Sequence, residues 1–281
     1  MFFNNKIKKI DKNKIRTWLV TGASSGLGHE LCLQLIERGY NVIALARRTP
    51  DFEGENVLCL SADVTKKEEI YNAINEGIKK FNKIDVVLNC AGISSYKTVE
   101  EEPEEKLRQI METNFWGAYN TIRLLLAHFR ENKNGTIINV SSECGIIPRA
   151  FGAAYCSSKH ALEGLSGVLW QETKRFCRVM TVELSYFKGT EIGKNEEKGS
   201  NYKEYKKMSW LPVKVKNSKN NNIKIAAKFI IDEVEKEKMQ RRLMLGEDII
   251  KKIEFEINSL KNDLKLSKKR ALMCAREKAD A

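Results

Sequence analysis

The sequence RTWLVTGASSGLG at residues 16–28 decides the fold. Its apolar first half predicts a buried strand, and the apolar residues that follow at helical spacing predict a helix. Gly22, Gly26 and Gly28 fall on the turn between them. At such a junction, glycine lets the backbone approach a pyrophosphate, and the N–H groups of the helix N-terminus favour an anion. The stretch therefore predicts a nucleotide-binding turn or, as the alternative, a tightly packed strand–helix junction.

The alternation of short apolar runs and helical periodicity continues along the chain. These runs are continuously apolar rather than alternating, which is typical of a parallel sheet covered by helices on both faces. With right-handed crossovers, the pattern predicts an α/β fold with a doubly wound parallel sheet, a Rossmann fold, in a single domain. Further strands are predicted at 42–46, 57–60, 84–89, 135–141, 178–184 and 242–245, and further helices at 66–81, 104–130, 152–176 and 223–238.

The distribution of charge separates the body of the chain from its basic segments. A formal net charge of +12 on 281 residues first raises nucleic acid, anionic membranes and acidic substrates as partners. The surplus lies in residues 1–16, 186–222 and 261–281, and the remaining residues sum to −2. We therefore predict a basic N-terminal arm at 1–15, one catalytic domain at 16–260 that includes a substrate loop or lid at 188–222, and a charged helical tail at 261–281.

Several function classes are excluded at this stage. Seven cysteines without a C-x-x-C pair predict free thiols rather than a disulfide framework or a zinc site. The three histidines lack partners at metal-ligand spacing, so we expect no metal. The N-terminal apolar run is too short for a signal peptide, and no run approaches the ~20 apolar residues of a membrane span. We therefore expect a cytoplasmic protein that does not bind a membrane. The basic tails lack interleaved aromatic residues, so we expect no nucleic-acid partner.

The end of the second predicted strand bears on which dinucleotide would bind. A carboxylate there would bind the ribose hydroxyls of adenosine, but the sequence reads Ala46-Arg47-Arg48. Two guanidinium groups suit a 2′-phosphate through charge-assisted hydrogen bonds. The alternative is an ordinary solvated pair of arginines. We predict NADP(H) in preference to NAD(H).

A tyrosine and a lysine four residues apart provide a candidate for proton transfer. Tyr155 and Lys159 share one face of the helix predicted at 152–176. A phenol with a pKa of ~10 is a poor base at neutral pH, but a nearby ammonium group favours the phenolate. Such a tyrosine can protonate an alkoxide or accept a proton from an alcohol. Ser142 supports this interpretation, because it lies at the carboxyl end of a predicted strand, where ligands of such sheets bind.

In its ordered motifs, the chain resembles the short-chain dehydrogenase/reductase family, in its compact single-domain branch. Phe115-Trp116-Gly117 and the HALEGL run at 160–165 also resemble the hydroxysteroid/retinol-dehydrogenase-like members. The resemblance is close over about residues 16–190 and loose over 223–260. The motifs that carry it are TGASSGLG at 21–28, Asp63-Val64, NCAG at 89–92, Asn114, INVSS at 138–142 and YCSSK at 155–159.

The resemblance implies an oxidoreductase that interconverts an alcohol and a ketone or aldehyde by hydride transfer. It implies that Tyr155 is the catalytic acid/base, that Lys159 binds the nicotinamide ribose and lowers the pKa of Tyr155, and that Ser142 donates to the substrate oxygen. Asn114 would hold a water that relays protons. The expected cofactor-binding residues are Gly22, Ser24, Ser25, Gly26, Leu27, Gly28, Arg47, Arg48, Asp63, Val64, Asn89, Ala91, Gly92, Tyr155, Lys159 and Thr190.

Single positions within this set have more specific implied roles. Asp63 would accept from the adenine amino group, Asn89 would tie the central strands together, and Thr190 would contact the carboxamide. Ser185-Tyr186 stand where the family usually has a Pro-Gly pair, which affects the placement of Thr190. The alternative function is a catalytically silent NADP-binding sensor or interaction protein. The expected assembly is a homodimer or homotetramer, paired through the two long helices.

Charged segments around the site have two interpretations each. The basic lid at 188–222 could attract an anionic substrate, such as a CoA thioester or a nucleotide sugar, or it could be merely solvated. Arg149 is a second candidate for an anionic group of the substrate. The acidic run at 100–105 is interpreted as solvated and favourable to the dipole of the following helix. Cys144 and Cys156 are expected to be small buried hydrophobic groups.

Overall fold

The computed structural model describes residues 16–187, 192, 199–205 and 221–274. Seven strands in these residues form one sheet in the order β3-β2-β1-β4-β5-β6-β7, and every neighbouring pair is parallel. The predicted α/β doubly wound parallel sheet is therefore confirmed. The strands are β1 Thr17–Thr21, β2 Asn41–Ala46, β3 Val57–Ser61, β4 Val86–Asn89, β5 Thr136–Val140, β6 Arg178–Leu184 and β7 Arg242–Leu245.

Helices cover both faces of the sheet, which explains why its strands are continuously apolar. In β1, Trp18 and Val20 pack on one face, whereas Leu19 packs on the other, and all three are fully buried. The first face is covered by α1 and α6, and the second by α2, α4 and α5. The helices are α1 Gly26–Glu37, α2 Lys67–Phe81, α3 Glu104–Met111, α4 Gly117–Glu131, α5 Ala153–Thr173, α6 Ile223–Glu235 and α7 Ile249–Met273.

The helix predicted over 104–130 is divided in the structure. Between α3 and α4, residues Glu112–Trp116 form a single π-helical turn, which contains Asn114. Gly117 follows this turn, and a Cβ there would lie 2.7 Å from Cγ2 of Val64. The close approach of α4 to the loop after β3 therefore requires a residue without a side chain. A π-helical turn shifts the helical register by one residue, a device frequent at functional sites.

The C-terminal helix crosses the predicted boundary at 260/261 without a break. Only its first turns pack on the domain, where Ile249, Lys252 and Ile253 are buried. The predicted N-terminal arm and most of the predicted lid lie outside the described residues, so the domain limits stay a prediction. No helix in the described ranges is long and apolar enough to span a membrane.

Candidate active site

The predicted site residues lie along the edge of the sheet where the strands end at their carboxyl termini. Because all strands are parallel, the ends of β1, β2, β4 and β5 meet there. The chain passes from β1 outward to β2 and β3 and then returns to β4 on the other side of β1. This reversal opens a crevice between the loops after β1 and β4, where ligands of doubly wound sheets bind.

The glycine-rich turn after β1 packs backbone against backbone. Gly22 has a φ of +72°, and a Cβ there would lie 2.9 Å from Cα of Ala91. A Cβ on Gly28 would lie 2.4 Å from the carbonyl oxygen of Gly22. Thr21 fastens the same junction, because its hydroxyl accepts hydrogen bonds from the N–H groups of Cys90 and Ala91 at 3.1 and 3.2 Å. Thr21 is a structural member of the site that the sequence analysis missed.

The start of α1 offers donors to an anion. Gly26 and Leu27 form its first turn, and the Ser25 side chain at the N-cap makes no capping hydrogen bond. Ser24 lies in the turn itself, and its carbonyl oxygen accepts a hydrogen bond of 3.1 Å from a guanidinium nitrogen of Arg48. A helix N-terminus without a side-chain cap attracts a phosphate group through its N–H donors.

Both arginines after β2 are exposed beside this turn. Arg47 and Arg48 follow the last residue of β2, and Arg48 reaches across to the turn as described. Asp63 follows β3 at the same edge, and one of its carboxylate oxygens accepts from the N–H and the hydroxyl of Thr65, each at 2.9 Å. Val64 is buried. Two guanidinium groups beside an uncapped helix N-terminus are suited to the phosphate groups of a nucleotide.

A chain of side-chain amides joins the central strands. The Asn89 amide nitrogen donates to the side-chain oxygen of Asn139 at 2.8 Å, which ties β4 to β5. Asn139 in turn donates to the Ser166 hydroxyl on α5 at 2.8 Å. The side-chain oxygen of Asn89 is buried, with no hydrogen-bond partner among the described residues. A buried acceptor without a partner at a ligand-binding edge is a position that a bound donor can satisfy.

Asn114 is fixed by the loop after β4. Its side-chain oxygen accepts from the N–H of Ile93 at 2.8 Å, and its side-chain nitrogen donates to the carbonyl of Ile93 and to the hydroxyl of Ser158, both at 2.9 Å. A Cβ on Gly92 would lie 3.3 Å from Oδ1 of Asn114 and 3.7 Å from Nζ of Lys159. Gly92 therefore keeps the space beside these two polar groups open.

Helix α5 brings Tyr155 and Lys159 into the same buried region. Nζ of Lys159 donates to the carbonyl oxygen of Val140 at 2.8 Å and lies 5.7 Å from the centroid of the Tyr155 ring. The hydroxyl of Ser142 is close enough to that of Tyr155 to favour its phenolate by hydrogen bonding, which lowers the pKa of Tyr155. Cys144 and Cys156 are buried against Tyr155, as expected for small hydrophobic groups. The structure thus unites Ser142, Tyr155 and Lys159, with Asn114 close to the lysine.

Burial dominates the pKa values of both Tyr155 and Lys159. Burial, and then the neighbouring Cys144, raises the pKa of Tyr155, and the hydrogen bond with Ser142 opposes this shift. Burial also lowers the pKa of Lys159 to about 8. Burial raises the pKa of Tyr155 because a low-dielectric environment disfavours the phenolate. The role of Lys159 in lowering that pKa when a nicotinamide is bound stays a prediction.

The remaining expectations concern the rim of the site. Thr190 lies outside the described residues. Ser185 is buried and donates to an oxygen of Asp248 at 2.6 Å, whereas Tyr186 is exposed and its carbonyl accepts from Asn221 at 2.7 Å. Ser185 therefore makes a side-chain contact that proline could not make.

Part of the acidic run at 100–105 is engaged rather than solvated. Glu101 accepts a hydrogen bond from the N–H of Asn201 at 2.9 Å, and Glu100 accepts one from the hydroxyl of Tyr205 at 3.0 Å. Hydrogen bonds, first from Ser200 and then from Asn201, lower the pKa of Glu101. The described part of the predicted lid, 199–205, therefore rests on acidic side chains.

The sequence analysis suggested that Arg149 could bind an anionic group of the substrate, but the structure engages it elsewhere. Its guanidinium is buried in an ion pair with Glu143, a residue the sequence analysis did not select. Glu143 also forms an ion pair with the ammonium group of Lys252 in α7, at 3.1 Å. The sequence feature that could have identified Glu143 is its position as a single carboxylate, directly after Ser142, within a run of small and apolar residues.

Comparisons with known proteins agree with this architecture. A short-chain dehydrogenase from Streptomyces avermitilis has a solved structure that superposes with a TM-score of 0.82 at 30% identity, covering 92% of this chain and 97% of that one. An uncharacterised oxidoreductase of Schizosaccharomyces pombe is 38% identical over 152 residues, which are 54% of this chain and 64% of that protein. The match thus spans less than two thirds of that relative's length.

Two further matches concern the cofactor and the family. The NADPH-dependent pterin aldehyde reductase of Arabidopsis thaliana is 34% identical over 166 residues, covering 56% of this chain and 69% of that protein. Residues 16–201 match the sequence profile of the family described as short chain dehydrogenase. The chain therefore belongs to the short-chain dehydrogenase family.

Proposed function

We propose that the protein is an NADP(H)-dependent oxidoreductase that interconverts an alcohol and a ketone or aldehyde, with Tyr155 as the acid/base. One observation carries the proposal: the hydroxyl groups of Ser142 and Tyr155 meet beside Lys159 at the sheet edge that also holds the glycine-rich turn. A hydroxyl pair next to a dinucleotide cleft is suited to a substrate with a single reactive oxygen.

The chain's own side chains perform the proton chemistry. The bound nicotinamide supplies the hydride. In the reductive direction, Ser142 and Tyr155 donate hydrogen bonds to the carbonyl oxygen, which positions it and stabilises the negative charge that develops there. Tyr155 then transfers its proton to that oxygen as the negative charge develops. The ammonium group of Lys159 stabilises the phenolate that remains.

The preference for NADP(H) is supported by Arg47 and Arg48 and by the NADPH-dependent relative from Arabidopsis. Each guanidinium–phosphate contact contributes about 1.5–3 kcal/mol, and exposure places the value here near the lower end. We therefore expect Arg47→Ala and Arg48→Ala each to weaken NADPH binding about 10-fold or more, with little effect on NADH. Fluorescence titration of both cofactors measures this. Equal affinity of the wild type for NADPH and NADH contradicts the preference.

The reaction itself is tested with a panel of carbonyl compounds. The panel includes ketosteroids and retinal, because Phe115-Trp116-Gly117 and residues 160–165 resemble the hydroxysteroid/retinol-dehydrogenase-like members, although the matched relatives do not single out that group. NADPH consumption is followed for the wild type and for Tyr155→Phe. We expect loss of turnover in the variant with unchanged NADPH binding. Turnover that survives the substitution removes Tyr155 from its role, and NADPH binding without any turnover in the wild type favours the sensor function.

A further inference from the structure

A buried ionic cluster lies next to the active-site serine, outside the acid/base and cofactor residues. Glu143 pairs with Arg149 and with Lys252, whose Nζ lies 3.1 and 3.3 Å from the two carboxylate oxygens of Glu143. Lys252 also pairs with Asp248 one helical turn before it. The side chains of Glu143, Arg149 and Lys252 are at most 6% exposed. We call these four residues the α7 cluster, because Asp248 and Lys252 belong to the start of that helix.

The position of the Ser142 hydroxyl depends on two neighbouring backbone groups. Its oxygen accepts a hydrogen bond from the N–H of Cys144 at 3.1 Å, within the tight 3-10 turn Glu143–Gly145. The same hydroxyl is 3.4 Å from the carbonyl oxygen of Leu184, at the end of β6. A displacement of either the turn or the strand end therefore moves the hydroxyl that faces Tyr155.

The α7 cluster holds both of these backbone groups. On one side, Lys252 binds the side chain of Glu143, the first residue of the turn. On the other side, Asp248 accepts a hydrogen bond of 2.6 Å from Ser185, which directly follows Leu184. Asp248 and Lys252 are joined to each other on one face of the helix. The start of α7 thus bridges the two segments between which Ser142 lies.

Apolar packing alone does not account for these charges. Ile147, Ile249 and Ile253 already form a buried apolar cluster between the loop after β5 and α7. Apolar burial is non-directional, whereas charge-assisted hydrogen bonds set distance and orientation. Replacing a buried ionic group with apolar side chains is often neutral for stability, so stability is a weak reason for its presence. Precision at the adjacent serine is a stronger one.

We propose that Glu143, Asp248 and Lys252 are positioning residues for Ser142, so that α7 is a working part of the active site rather than an appended tail. This inference rests on the proposed oxidoreductase function. The Ser185-Tyr186 departure belongs to the same arrangement, because the Ser185 hydroxyl is the group that links β6 to Asp248. The two carboxylates and two cations of the cluster balance in charge.

The positioning role is tested with Lys252→Met, which removes the ammonium group and retains the alkyl stem. In Lys252→Met, we expect kcat for carbonyl reduction to fall about 10–100-fold, because a displacement of about 1 Å at a reacting group has effects of this size. The affinity for NADPH is expected to stay within about two-fold, because the contacts of Lys252 and Asp248 go to the loop after β5 and the end of β6. Lys252→Arg keeps a positive charge at this position and is expected to retain most of the wild-type kcat. Lys251→Met, on the exposed neighbour in the same helical turn, is the matched control and retains wild-type kcat.

A double-mutant cycle separates positioning from a general loss of structure. In a Ser142→Ala background, Lys252→Met is expected to have no further effect on kcat, because the group it positions is gone. An equal loss of kcat in both backgrounds overturns the proposal. Ser185→Ala removes only one hydroxyl and is expected to lower kcat in the same direction, so the proposal stays testable if Lys252→Met does not fold.

Amide hydrogen exchange provides a measurement that does not depend on turnover. Lys252→Met is expected to increase exchange at residues 144–147, whose N–H groups are hydrogen-bonded within the loop, while α1 is unchanged. Unchanged exchange in this loop overturns the positioning role. Absence of turnover in the wild type refutes the proposed function instead, so the two failures are distinguishable.

Discussion

Gly28→Ala is the substitution for which the structure makes the sharpest prediction about cofactor binding. Gly28 lies in the first turn of α1, and an added Cβ would be 2.4 Å from the carbonyl oxygen of Gly22. An ordinary van der Waals distance between two such atoms is longer by about 1 Å. This nearest neighbour is a backbone atom, so the glycine-rich turn or the helix must move. The turn is itself held against the loop after β4 by Thr21.

The magnitude follows from two opposing effects. Alanine in place of glycine inside a helix stabilises a protein by about 0.5–1 kcal/mol when the site is open. Overpacking in a tight site destabilises by about 1–3 kcal/mol. At residue 28 the second effect dominates, and we expect a net loss of about 1–2 kcal/mol in the free energy of unfolding. NADPH affinity is expected to fall by about 10-fold or more, because a shift of about 1 Å displaces the N–H donors of the helix.

The assay combines denaturant unfolding with NADPH fluorescence titration. Gly164→Ala is the matched control, because Gly164 is an exposed helical glycine of α5 with nothing within 4 Å of an added Cβ. We expect this control to gain about 0.5–1 kcal/mol and to keep its NADPH affinity. A Gly28→Ala variant that is as stable as the control and binds NADPH as the wild type does would refute the reasoning.

Three further predictions concern groups whose environment the structure defines. Asn114→Ala removes three hydrogen bonds, so we expect the free energy of unfolding to fall by about 1–3 kcal/mol and kcat to fall as well. Denaturant unfolding and turnover assays that both match the wild type would contradict the role of Asn114. Burial lowers the pKa of Lys159 from 10.5 to about 8 in the folded protein, so the unfolded chain binds more protons between these two values. This group therefore makes the free energy of unfolding rise with pH from about 8 to 10.5, by up to about 3 kcal/mol. Lys159→Met is expected to remove this rise in denaturant unfolding measured across that pH range. Arg242→Met leaves Glu163 and Glu183 without the cation that pairs with both. Burial already raises the pKa of Glu183 to about 7, and loss of the arginine raises this pKa further. The loss of stability, about 2 kcal/mol after allowing for partial exposure of the arginine, is therefore expected at alkaline pH and is expected to shrink as pH falls toward 7, because Glu183 becomes protonated in the variant before it does in the wild type; a pH-independent loss contradicts this.

Much of the site could be predicted because its residues occur in short, ordered motifs. The turn after β1, Asn114, Ser142, Tyr155 and Lys159 each sit at a position that the alternation of strands and helices brings to one edge of the sheet. Their convergence follows from parallel topology, since the carboxyl ends of all strands share that edge. No side-chain geometry is needed for this step.

Other features depended on contacts that periodicity does not encode. The π-helical turn that holds Asn114 adds one residue to a helix that otherwise reads as continuous. Glu143 and Lys252 are 109 residues apart in the chain, and neither belongs to a motif. The hydrogen bonds of Glu100 and Glu101 to residues 201–205 likewise join segments about 100 residues apart.

The sequence by itself determined the fold class and the family resemblance, and it predicted Tyr155 as the acid/base group, because strand hydrophobicity, glycine placement and the Tyr-x3-Lys spacing are local properties of the chain. Only the tertiary structure showed that burial raises the pKa of Tyr155 and that Lys252 of α7 reaches Glu143 beside Ser142. The pKa of Tyr155 depends on how completely its hydroxyl is removed from water, and that is a property of the packed site. The charged residues at the start of α7 resemble a solvated tail until folding buries Lys252 against the carboxylate beside Ser142.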